Sequence, residues 1–82
     1  MIPIGNFSDL GEIGKCAACG APIHLYEQKM DDGYLDLWWI CEGKDYGSHI
    51  LIIDNEENRE RGIELLKSQC KQTMEGLKAR ME

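Results

Sequence analysis

The sequence predicts a small α+β fold, in which a three-stranded antiparallel unit over residues 16–53 is followed by one long amphipathic helix over 54–82. Residues 1–15 are expected to pack on the strands, so that all three parts form one folding unit. Two observations carry this reading. Proline, tryptophan and tyrosine all fall before Asp54, among most of the glycines, in turn-rich stretches of short period. After Asp54 only Gly62 and Gly76 interrupt a dense mix of Glu, Lys, Arg, Leu and Gln, the composition of a helix. Length adds a constraint. A chain of 82 residues, 43% hydrophobic with a single Phe, buries only about 60% of the surface its unfolded form exposes, so its core needs a staple.

The elements follow in order. Residues 1–15 hold Ile2, Ile4, Phe7, Leu10 and Ile13, enough apolar content to lie over the strands, but their spacing settles neither helix nor strand. Pro22 to Met30 reads as the first strand, with Ile23 and Leu25 on one face and His24, Tyr26 and Met30 on the other. Asp31, Asp32 and Gly33 supply the turn, because Asp and Gly tolerate the positive φ that tight hairpins demand. Tyr34 to Cys41 is a second strand, rich in aromatic and large apolar residues. A turn marked by Gly43, Asp45 and Gly47 leads to a third, Ser48 to Ile53, apolar throughout and expected to be covered on both faces. Asp54 or Asn55 caps the helix, with Glu56 and Glu57 in its first turn and Arg80 near its end, where the dipole favours each charge. Ile63, Leu66, Cys70, Thr73 or Met74, Leu77 and Met81 recur in steps of three and four and form one apolar stripe. The stripe packs on the strands or, as second choice, on the helix of a second copy in a homodimer. Gly62 and Gly76 each weaken the helix by about 1 kcal/mol relative to Ala, so it needs support.

The staple is read from the cysteines. Cys16-Ala17-Ala18-Cys19-Gly20 lets two thiolates meet one ion on a tight turn, and the Gly allows the backbone to aim amides back at sulfur. A hairpin running out and back from Cys19 returns Cys41 beside the pair, and His49 opens the third strand. Three sulfurs and one imidazole nitrogen make a closed tetrahedral site suited to structural Zn2+. His24 and Cys70 are the reserve ligands: His24 lies mid-strand, and Cys70 lies on the helix stripe, where it is most simply a small core residue. Thiol redox chemistry would place the first Cys of such a pair at a helix N-terminus inside a βαβ unit, and none fits here. No Ser-His-acid set or Gly-rich phosphate loop is visible, so no enzyme is expected.

Cys16 to His49 resembles a zinc ribbon, a three-stranded module with one knuckle before its first hairpin strand and another between its second and third. The run Cys16 to Ile23, followed later by Trp39-Ile40-Cys41 and a short turn, looks most like the ribbons at the tails of bacterial type I topoisomerases. The likeness spans about 40% of the chain. Such ribbons usually carry another cysteine close after the third, where this chain has Lys44 and Asp45. The resemblance implies a nucleic-acid-binding ribbon as one function.

Charge points elsewhere. Of the net charge of -6, residues 1–53 contribute -5, with Lys15, Lys29 and Lys44 against eight acids. Phosphate backbones are bound chiefly by Lys and Arg, so direct nucleic-acid binding is not expected. The partner expected is a larger protein with a basic surface, toward which acidity steers the chain. Trp38 and Trp39, adjacent on one strand, face opposite ways; with Tyr34 and Tyr46 they are the candidate partner-binding residues, one Trp being covered by the helix and the other by the N-terminal segment if both are core. No apolar run suits a membrane span or signal peptide, which reads as cytoplasmic. The expected function is a zinc-stabilised acidic regulator or inhibitor of a larger protein, of a kind common, by analogy, in bacteriophages and mobile elements.

Overall fold

Strict alternation along Tyr34–Cys41 organises the molecule: Leu35, Leu37, Trp39 and Cys41 are buried, while Tyr34, Asp36, Trp38 and Ile40 face the other way. The computed structural model describes residues 6–41 and 46–81, with Tyr46 and Met81 described by backbone alone. Four strands form one antiparallel sheet in chain order: β1 (Ser8–Lys15), β2 (Pro22–Lys29), β3 (Tyr34–Cys41) and β4 (Tyr46–Ile53). One helix, α1 (Glu56–Met81), crosses one face of this sheet.

The hairpins take the registers their turns dictate. Asp32 and Gly33 adopt φ of 60° and 77°, as the Asp-Asp-Gly chemistry requires, and Leu25 then pairs with Trp39 and Tyr26 with Trp38. Across the next hairpin Leu37 pairs with Ile50 and Leu35 with Ile52. Ile23, Leu25, Leu35, Leu37, Trp39 and Cys41 thereby form one apolar face, onto which α1 sets Leu66 and Cys70, with Ile63 and Met74 packed at the margins. The helix stripe is thus used against the sheet. Asn55 caps α1, its Oδ1 accepting the Asn58 N–H at 2.8 Å. A side chain at Gly62 would meet Leu37 Cδ1 at 2.7 Å and Ile50 Cδ1 at 3.0 Å, so this glycine lets the helix lie close on the sheet.

Two expectations change. The sheet has four strands where three were expected, because part of the N-terminal segment is itself a strand, β1, at the edge beside β2. Its alternation is broken by bulges between Asp9 and Glu12 and between Glu12 and Gly14; at the first, Gly11 has φ 106° and donates its N–H to Asp9 Oδ1 at 2.8 Å. The last strand begins two residues earlier than expected and is covered on one face alone: Ile50 and Ile52 pack on the core, while Leu51 and Ile53 stay exposed. An edge strand beneath one helix has a single buried face. Among the described residues no helix is long and apolar enough to cross a membrane.

Candidate metal centre

The knuckle is built at the β1–β2 junction. Cys16 leaves β1 with its N–H donated to the Ala21 carbonyl at 2.8 Å, and Gly20, at φ 75°, donates to the Cys16 carbonyl at 2.8 Å. This closed turn aims the Ala18 N–H at Cys16 Sγ, 3.4 Å away. Cys41 ends β3 on the buried side of the sheet, where its Sγ lies 3.6 Å from that of Cys19. The sulfurs of Cys16, Cys19 and Cys41 all lie within 4.8 Å of one another. None of the four cysteines is in a disulfide.

This arrangement fits a metal on physical grounds. Tetrahedral zinc with Zn–S bonds of about 2.3 Å sets its sulfurs about 3.8 Å apart, close to the Cys19–Cys41 separation. Three soft thiolates, with an amide aimed at one of them, suit zinc over hard cations such as magnesium. Cys16 and Cys41 are buried and Cys19 is exposed, so the centre sits at the protein surface with its base in the core.

His49 does not join the three cysteines. Because β4 starts at Tyr46, opposite Cys41, His49 stands opposite Trp38, three residues along and on the face away from the helix. Strand rise alone separates it from Cys41 by about 10 Å. His24 is also on that open face, its Nδ1 2.8 Å from Asp9 Oδ2, which holds the Asp9 carboxyl below its ordinary value. Cys70 is on the right side. It is buried in the same cluster as Cys16, and a Cβ at Gly14 would lie 4.0 Å from its Sγ. Burial, with Cys16 nearby, pushes the Cys70 thiol up. One turn further, Met74 Sδ accepts the Ala17 N–H at 3.3 Å, so α1 lies directly over the knuckle. Lys44 and Asp45, the positions where ribbons carry another cysteine, lie outside the described residues.

The expected partner-binding residues divide between the faces. Trp39 is buried, 2% exposed, beside Gln69, Thr73 and Leu77 of the helix. Trp38 lies on the open face, stacked on Tyr26 with centroids 5.7 Å apart and planes at 24°, while Phe7 approaches both rings edge-on at 5.4 and 5.7 Å. Tyr34 shares that face by alternation, and the side chain of Tyr46 lies outside the described residues. Asp36 escaped the sequence reading, while Phe7 and Met74 were expected only as packing residues of the N-terminal segment and the helix stripe. Alternation along β3 was sufficient to place Asp36 beside Trp38; nothing local signalled that Phe7 would meet Tyr26 and Trp38 or that Met74 would reach the knuckle.

What fold and site define is a small α+β protein with a cysteine cluster compatible with a zinc-binding module. Comparison with known proteins gave no matching family model, no matching curated protein and no matching solved structure.

Proposed function

We propose that the chain is a zinc-stapled acidic protein-binding module, a cytoplasmic regulator or inhibitor that docks on a larger protein through the open face of its sheet. The observation that carries this reading is the division of labour between the faces. The helix and the cysteine cluster occupy one; the other presents Phe7, Tyr26, Trp38, Ile40, Leu51 and Ile53, with no helix laid over them among the described residues. Exposed apolar surface of this kind marks interaction sites. In this reading zinc is held by Cys16, Cys19 and Cys41, and Cys70, buried in the same cluster as Cys16 but outside the group of three, reaches the fourth position by a movement of α1, so that the metal also pins the helix.

A second reading, a nucleic-acid-binding ribbon, draws support from the stacked Tyr26–Trp38 pair, which could accept bases. Charge weighs against it. Arg59 is 2.8 Å from Glu27 and Arg61 is 2.6 Å from Glu57, so two of the helix cations are already paired. Affinity purification from the native cell with wild type and Trp38→Ala separates the readings. A protein retained by wild type and lost with the variant is the expected result; no protein partner, with salt-sensitive DNA or RNA binding by the isolated chain, would overturn it.

A further inference from the structure

The open face carries a carboxylate, that of Asp36, that no ion pair answers among the described residues. Asp36 lies mid-β3 between Tyr34 and Trp38, opposite Leu51 on β4 and Gln28 on β2. Its Oδ1 is buried without a hydrogen-bond partner, and among the described residues no ion pair reaches the carboxylate. Along β2, β3 and β4 the positions sharing its face include no Lys or Arg; their cationic candidates are His24, engaged with Asp9, and His49, opposite Trp38, which opposes the rise of the Asp36 carboxyl without forming an ion pair with it. A depression of about 440 Å³ opens between Asp36, Trp38, Ile40 and His49. A carboxylate held on an aromatic, apolar surface costs stability unless something uses it.

We propose that Asp36 anchors an arginine side chain of the protein partner, the guanidinium meeting the carboxylate while its plane lies along the Trp38 ring. The chemistry selects arginine over lysine. A guanidinium can set an N–H donor on the carboxylate while its plane stacks on an aromatic face, and it sheds water more readily than an ammonium group. Charge is complementary at both ranges: the lone carboxylate at contact, and the net charge of -6 at a distance. Apolar side chains flanking that arginine would meet Ile40, Leu51 and Ile53, exposed on the same face. The burial that raises the Asp36 carboxyl above its ordinary value acts in the same direction, since an arriving cation relieves it.

This inference rests on the protein-binding reading and names its partner's chemistry, and the experiment keeps the two apart. The full zinc-loaded chain is titrated with N-acetyl-arginine amide and with its neutral isostere N-acetyl-citrulline amide, followed by tryptophan fluorescence and by amide shifts of β3 and β4. The arginine compound is expected to bind about tenfold more tightly than the citrulline compound, and Asp36→Asn to abolish that difference with the sheet intact by circular dichroism. Equal binding of the two compounds, or an arginine preference that survives in Asp36→Asn, overturns the anchor. A native partner retained equally by wild type and Asp36→Asn also overturns it while leaving the module standing. Arginine preference without any native protein partner supports the site and overturns only the function.

Discussion

At the scale of single residues, Asp9 and Asp36 show how one sheet face treats two carboxylates in opposite ways. Asp9 has His24 at 2.8 Å and accepts the Gly11 N–H, so its carboxyl is held below the ordinary 3.8. Its contribution to stability is present above 3.8 and is lost as pH falls through the lower folded value. Asp36 is pushed above 3.8 by burial, with the His49 charge acting against that rise. Its contribution is therefore greatest below 3.8 and is lost as pH rises through the higher folded value. At pH 7 the ionised Asp36 destabilises the fold. Asp36→Asn is accordingly expected to raise the thermal midpoint at pH 7 and to have less effect at pH 3, whereas Asp9→Asn lowers the midpoint at pH 7. Thermal melts of the three proteins at both pH values check this, and an Asp36→Asn midpoint below wild type at pH 7 would contradict the desolvation argument. A residue that weakens the fold at the proposed recognition surface would follow the usual trade between stability and function.

At the scale of elements, the two helix glycines look alike in sequence and differ in the fold. Gly76 has open space where a Cβ would be, so Gly76→Ala is expected to stabilise by about 0.5–1 kcal/mol through helix propensity. Gly62 sits against Leu37 and Ile50, and there the same propensity gain is opposed by about 1–3 kcal/mol of overpacking. Gly62→Ala should therefore gain nothing or lose stability, and urea unfolding of both variants tests the contrast. Gly47 is stricter still, because a Cβ there would run into the Trp39 carbonyl. The helix was legible in sequence because its cap and its three- and four-residue stripe are local signals, with Leu66 and Cys70 buried as the stripe requires. Strands β2 and β3 were legible for the same reason: their alternation is intact. Strand β1 was not, because bulges at Asp9–Glu12 and Glu12–Gly14 break the period of two by which strands are recognised.

At the scale of the whole molecule, the cysteine cluster joins two elements that separate in sequence and meet only in the fold. The knuckle was legible because Cys16 and Cys19 share one turn, and Cys41 because a hairpin must return. The position of His49 was not, since it depends on the register of β4, and pairing Tyr46 with Cys41 carries His49 three residues along β3 to Trp38. Among the described residues the fully enclosed side chains are few, with Cys41 and Cys70 among them, so a zinc ion at the proposed site would supply much of the folding free energy. Chelation of the zinc-loaded chain is thus expected to abolish cooperative unfolding, which calorimetry before and after chelation measures directly. The ligand set has its own signature. Cobalt substituted for zinc gives sulfur-to-metal charge-transfer absorption that grows with the number of thiolates bound. His49→Ala should leave that absorption unchanged, Cys19→Ser should remove binding, and Cys70→Ser should reduce the intensity by about one quarter while loosening α1 from the knuckle. Unchanged intensity in Cys70→Ser would assign the fourth position to another donor and leave the helix held by packing alone.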